Sequence, residues 1–114
     1  MNGEGVVMRD YDEASFHMDI AASQRPVLVE FWATWCASCK QQEAIMAELE
    51  ADYAGRVTFG KVKMDDNQNL AIQYSIMSAP TIMLFAAGDL KKRFSGLQKR
   101  PKLQDAIDEV LGEN

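Results

Sequence analysis

With 114 residues and a net charge of −5 at pH 7, the chain has material for one domain with one real core, and 1–114 is expected to fold as a unit. A hydrophobic content of 47% beside 25% charged residues is ordinary for a globular protein, and no run approaches the ~18 apolar residues that a membrane span needs. The acidic balance argues against nucleic acid as a partner, because phosphates repel such a surface.

Met1 to Gly5 is polar and lacks the basic start and apolar stretch of a signal peptide, so a cytoplasmic, reducing location is expected. Val6-Val7-Met8 reads as a short first strand. Asp12 then opens a weak helix with Phe16 and Ile20 on one face. After Arg25-Pro26 comes a nearly continuous apolar run, Val27 to Trp32, which suits a strand covered on both faces in the middle of a sheet. A long helix follows from about Ala37 to Tyr53, with Ile45, Leu49 and Tyr53 at helical spacing, Met46 flanking, and Gly55 beyond its end.

Val57 to Met64 is the next strand, and Asp66 or Asn67 can cap a short helix through Tyr74. Thr81 to Phe85 is another strand, turned by Gly88-Asp89 into a hairpin partner, Lys91 to Ser95. Gly96 breaks that strand. A last amphipathic helix, about Pro101 to Leu111, presents Leu103, Ile107, Val110 and Leu111, with Pro101 in its first turn and Gly112 at its end. The order β-α-β-α-β-α-β-β-α predicts an α/β sandwich, a mixed sheet of about five strands between about four helices. The basic residues Lys91, Lys92, Arg93, Lys99, Arg100 and Lys102 read as solvated surface.

Both cysteines lie at the junction of the apolar strand and the long helix, in Trp35-Cys36-Ala37-Ser38-Cys39-Lys40. Thiols at i and i+3 of a helix have Cα atoms roughly 5–5.5 Å apart, within the span a disulfide accepts, so the pair can open and close with little backbone movement. So short a loop gains little stability from closure, which makes a reversible two-electron switch the better explanation. A structural zinc needs four ligands, whereas the chain offers two cysteines and the distant His17, so no metal is expected and His17 reads as surface.

Phe31-Trp32-Ala33-Thr34-Trp35-Cys36-x-x-Cys39-Lys40, then Lys61 to Asp65, Ala79-Pro80-Thr81, Gly88 and Gly96 together resemble the thioredoxin family, from about Phe16 to Leu111. Two features depart from the family pattern: Ala37-Ser38 stands where typical members have Gly-Pro, and Glu30 where they have Asp. The resemblance implies a thioredoxin-like fold and a protein-disulfide reductase, acting on disulfide-containing client proteins and regenerated by a separate thioredoxin reductase. It implies no cofactor besides the Cys36–Cys39 disulfide. A monomer is expected, since no long exposed apolar stripe is evident.

Within that frame Cys36, at the helix N-terminus, is the attacking sulfur, because unpaired N–H groups and the helix dipole favour a thiolate. Cys39, one turn inside, resolves the mixed disulfide. Glu30 lies beneath the pair and exchanges a proton with Cys39, its pKa raised by burial, with Lys61 as its charged neighbour. Pro80 is the cis-proline facing the cysteines, and Ala79 pairs with an extended client segment. Trp35 lies beside Cys36, and Leu97 after Gly96, with Ala79, completes a small apolar docking surface around the exposed sulfur, to which Ala37 and Ser38 also belong. Serine at 38 restores an N–H that proline lacks and adds a hydroxyl near Cys36, either of which stabilises the dithiol and makes the disulfide more oxidising. A disulfide oxidase or isomerase is therefore the second enzyme reading, a glutaredoxin a weaker one, and a binding module with dispensable thiols the reading from another class.

Overall fold

The apolar run Val27–Trp32 forms the central strand of a five-stranded sheet, and everything at the site is placed relative to it. The structure, a computed structural model, describes residues 8–112. Its elements in chain order are β1 (Arg9–Tyr11), α1 (Glu13–Ala22), β2 (Val27–Trp32), α2 (Ala37–Asp52), β3 (Thr58–Lys63), a 3₁₀ turn (Met64–Asp66), α3 (Gln68–Gln73), β4 (Thr81–Ala86), β5 (Asp89–Ser95) and α4 (Arg100–Leu111). The strand order is β1-β3-β2-β4-β5, with β1, β3 and β2 parallel and β4 and β5 each antiparallel to the preceding neighbour. This is the expected mixed α/β sandwich.

Alternation along β2 divides the core. Val27, Val29 and Phe31 face one layer, with Phe16 and Ile20 of α1 and Leu70 of α3. Leu28 faces the other, with Met46 and Leu49 of α2 and Leu103 and Ile107 of α4. Glu30, two residues from Leu28, is thereby carried onto the α2 face. By the same parity Phe59 lies in the α2 layer and Val62 in the opposite one, so Lys61 shares the face of Glu30.

Several boundaries differ from the sequence expectation for identifiable reasons. Val6 and Val7 lie outside the described residues, and the strand that pairs with β3 is Arg9–Tyr11. Tyr11 fixes that edge: its ring lies so close to Gly60 that a Cβ there would sit 2.2 Å from a ring carbon, and its hydroxyl donates to Asp19 at 2.5 Å. Strand β5 begins at Asp89 because Ala87 and Gly88 both adopt positive φ, +54° and +83°, in a two-residue turn that pairs Ala86 with Asp89 at once. The buried stripe of α2 runs through Cys39, Gln42, Met46, Leu49 and Glu50, leaving Ile45 only half-buried. Asp12 caps α1 in a reciprocal box with Ser15, and Gly112 closes α4 in the left-handed conformation.

The basic stretch of β5 does more than face solvent. Lys92 pairs with Glu109 of α4 at 3.1 Å, while the Arg93 guanidinium donates to the carbonyls of Tyr74 and Ser75 just past α3. One edge strand thus holds a helix on each face of the sheet.

Candidate active site

Cys36 is the N-cap of α2, and Cys39 lies in its first turn. The two are joined in a disulfide with Cα atoms 5.4 Å apart, within the separation that helical i, i+3 spacing provides. Both residues are largely buried, Cys36 9% and Cys39 4% exposed, and they pack with Ala33, Trp32 and Ala79. The N–H groups of the first helical turn lack intrahelical acceptors, apart from that of Cys39, which reaches the Cys36 carbonyl at 3.3 Å. Positive potential therefore converges on the Cys36 end of the pair. The Ser38 Oγ lies 3.7 Å from the Cys36 Sγ.

Two loops meet at the disulfide, and a third is bonded to the second. The loop before Cys36 is tied down by Thr34, whose hydroxyl donates to Asp65 in the 3₁₀ turn at 2.8 Å and holds that carboxyl below its usual range. The Ala79–Pro80 peptide is cis, with Pro80 buried and Ala79 against the cysteines, and the Thr81 hydroxyl donates back to the Ser78 carbonyl at 2.7 Å. The Gly96–Gln98 loop is joined to the proline loop by the Gly96 N–H on the Pro80 carbonyl at 2.8 Å. Leu97 there is half-buried. Trp35 is 72% exposed and Met77, just ahead of the proline loop, 93% exposed.

Glu30 is the second unusual group. It is 1% exposed, and neither carboxylate oxygen has a hydrogen-bond partner among the described residues. Burial, aided by repulsion from Glu43 and opposed by Lys61, pushes its carboxyl up to about 8. Lys61 is its register partner on β3, but the ammonium bonds Glu43 of α2 at 2.7 Å. Lys61 and Lys63 also sit 5.8 and 5.7 Å from the Trp32 ring centre.

Two residues escaped the sequence analysis. Gln42, fully buried, accepts from the Gln98 N–H at 2.7 Å and donates to the Gln98 carbonyl at 3.1 Å, fastening the third loop to α2. Glu43 lines a recess of about 220 Å³ with Trp32, Ala33, Cys36, Cys39 and Lys40. Their spacing from Cys39, i+3 and i+4, is the signal that could have revealed both. His17 is exposed on α1, edge-on to Phe16. Among the described residues no three metal-ligating side chains converge, and no helix is long and apolar enough to cross a membrane.

A disulfide across one helical turn at a helix N-terminus, packed against a cis-proline loop, defines a thiol–disulfide oxidoreductase. Comparison with known proteins agrees. The family model described as Thioredoxin matches residues 7–109. The chain is 40% identical over 99 residues to a thioredoxin of Rickettsia felis, covering 87% of this chain and 94% of that protein. It is 39% identical over 103 residues to a chloroplastic M-type thioredoxin of Zea mays, covering 90% of this chain but 62% of the relative's length. A bifunctional thioredoxin reductase/thioredoxin of Mycobacterium leprae is 34% identical over 99 residues, 87% of this chain and 22% of that protein. The chain belongs to the thioredoxin family, and its chemistry is thiol–disulfide exchange.

Proposed function

We propose that the chain is a single-domain reductase of protein disulfides, with Cys36 as nucleophile and Cys39 as resolving thiol. The Cys36 thiolate attacks a client disulfide, forming a mixed disulfide and releasing one client thiolate. Cys39 gives its proton to the Glu30 carboxylate and attacks the Cys36 sulfur, closing the intramolecular disulfide and releasing the second client thiolate. Two electrons pass to the client, whose two thiolates take their protons from solvent, while Glu30 keeps the proton of Cys39. The disulfide is the redox group; no other cofactor is invoked.

The single observation that carries this reading is the placement of the cysteine pair at the start of α2, against Ala79 of the proline loop. Trp35, Ala37, Ser38, Ala79, Pro80, Gly96 and Leu97 supply the surface for an extended client segment, whose backbone pairs with that of Ala79. A thioredoxin reductase is the electron donor, an assignment supported by the relative that carries both names in one chain. A monomer in the cytoplasm is the working state.

Trapping tests the reading. Cys39→Ser should accumulate mixed disulfides with clients, and Cys36→Ser should form none and lose turnover of a model disulfide protein. Turnover that survives Cys36→Ser would overturn it, and client binding that survives without turnover would mark a binding module. The hydroxyl of Ser38 beside Cys36 favours a second direction of flow, toward oxidase or isomerase chemistry, which the redox potential decides.

A further inference from the structure

Two opposite charges lie within electrostatic reach of the buried Glu30 carboxyl, and they are bound to each other. From β3, Lys61 stands opposite Glu30 in register on the same sheet face, with Lys63 two residues on. From β4 the opposing residue is apolar, Ile82, and α4 brings the apolar Leu103 and Ile107 to the same layer. From α2 come Cys39, Lys40 and Glu43, which line the recess. On the far side of Lys61, Asp10 of β1 is its other register partner. With this set, the simplest way to settle a buried carboxylate is an ion pair with Lys61. That pair is not made. The Lys61 ammonium is drawn outward to the Glu43 carboxylate, 2.7 Å away, and both Glu30 oxygens are left without a partner among the described residues.

We propose that Glu43 is a positioning residue for proton transfer at Cys39: by holding Lys61 at the mouth of the recess it denies Glu30 a salt bridge and leaves the buried carboxyl able to trade a proton with the resolving thiol. This rests on the reading of Glu30 as the proton partner of Cys39. The chemistry requires it to be a matched base. A carboxylate locked to an ammonium binds protons weakly and takes one from a thiol only uphill, whereas a desolvated one approaches the thiol's own proton affinity. With its carboxyl pushed up to about 8, Glu30 meets that condition. When Cys39 gives up its proton, Glu30 becomes the acid; when the reductase opens the disulfide, the acid returns the proton to the Cys39 thiolate. Lys61 stays cationic throughout, its ammonium stabilised by the bond to Glu43.

The test is a titration of Glu30 in the oxidised protein, where neither cysteine ionises, by NMR of 13C-labelled glutamate carboxyls with the Glu30 signal assigned by its loss in E30Q. Glu43 is half exposed, so E43Q leaves no buried hole. Removing its charge lifts a repulsion and releases Lys61 toward Glu30, and both effects act downward. The midpoint should fall by about one pH unit or more, a tenfold loss of proton affinity. K61M should move it upward, and in the K61M background E43Q should lose most of its effect. The pH profile of mixed-disulfide resolution should follow the same shifts. An unmoved midpoint in E43Q overturns the proposal, as does a drop of equal size with and without Lys61, which would mean Glu43 acts by its own charge alone. If E30Q leaves the pH profile of resolution unaltered, the role of Glu30 itself fails, and this inference goes with it.

Discussion

Glu30 makes the sharpest prediction at the scale of one residue. Its carboxyl titrates near 4.5 in an unfolded chain and is pushed up to about 8 in the fold. Between those values the folded state keeps a proton that the unfolded state has released, so stability is highest at the acid end and is lost as pH rises from 4.5 through 8. The full difference is at most about 4–5 kcal/mol. Urea unfolding of Glu30→Gln should show this slope abolished, with the variant more stable than the parent at pH 8.5. A parent whose stability climbs across that range would contradict the burial of a neutral acid.

Ser38 acts at the same scale, on redox poise. Its hydroxyl, 3.7 Å from the Cys36 sulfur, can donate to the thiolate once the disulfide opens. One such bond is worth about 1 kcal/mol, or roughly 20 mV for a two-electron couple. Ser38→Ala should be more reducing by that amount and Ser38→Pro by at least as much, since proline also removes the N–H. Equilibration with glutathione measures both, and an unchanged or less negative potential in the two variants would remove Ser38 from the account.

At the scale of elements, α2 does two jobs that its sequence conceals. It carries the cysteines, and through buried Gln42 it fastens the loop that follows β5. Gln42→Leu should cost about 1–3 kcal/mol, because it strands the Gln98 N–H and carbonyl. It should also weaken apparent client affinity more than the maximal rate, since the freed Gly96–Gln98 loop is bonded to the proline loop through the Gly96 N–H and the Pro80 carbonyl. Denaturant melts and steady-state kinetics check the two parts separately. What could be read locally was read: the apolar run at 27–32, the cap at Asp12, the stop at Gly112 and the cysteine spacing each carry their own meaning. The partner of Lys61 was not legible. It depends on how the β2–β3 register meets the rotation of α2, and a glutamate among polar helix residues looks like any solvated one. Glu50 hides for the same reason, a buried carboxyl pushed upward by desolvation inside a polar-looking helix. Arg9 to Tyr11 were not legible as a strand, being less strand-like than Val6 and Val7, which lie outside the described residues. The space above Gly60, though, accepts the Tyr11 ring, and that fit sets the edge.

At the scale of the whole molecule, the net charge of −5 acts on encounters with clients. Long-range repulsion slows approach of an acidic client and speeds a basic one, and salt screens both beyond about 10 Å. Raising ionic strength should therefore increase the second-order rate for an acidic disulfide protein and decrease it for a basic one, with little change in the maximal rate. Equal salt slopes for the two would show that local contacts at Trp35 and the proline loop govern encounter instead.

Strand β5 clasps the two helical layers by unlike bonds. Its grip on α4 is an exposed ion pair, Lys92 with Glu109, and its grip on the end of α3 is a guanidinium fork on two carbonyls. The first weakens in brine and the second barely notices it. The margin of the sheet therefore has a loose side and a fast side: high ionic strength slackens the tether to the C-terminal helix, which buried Leu103 and Ile107 still hold, while the turn leading to the proline stays pinned.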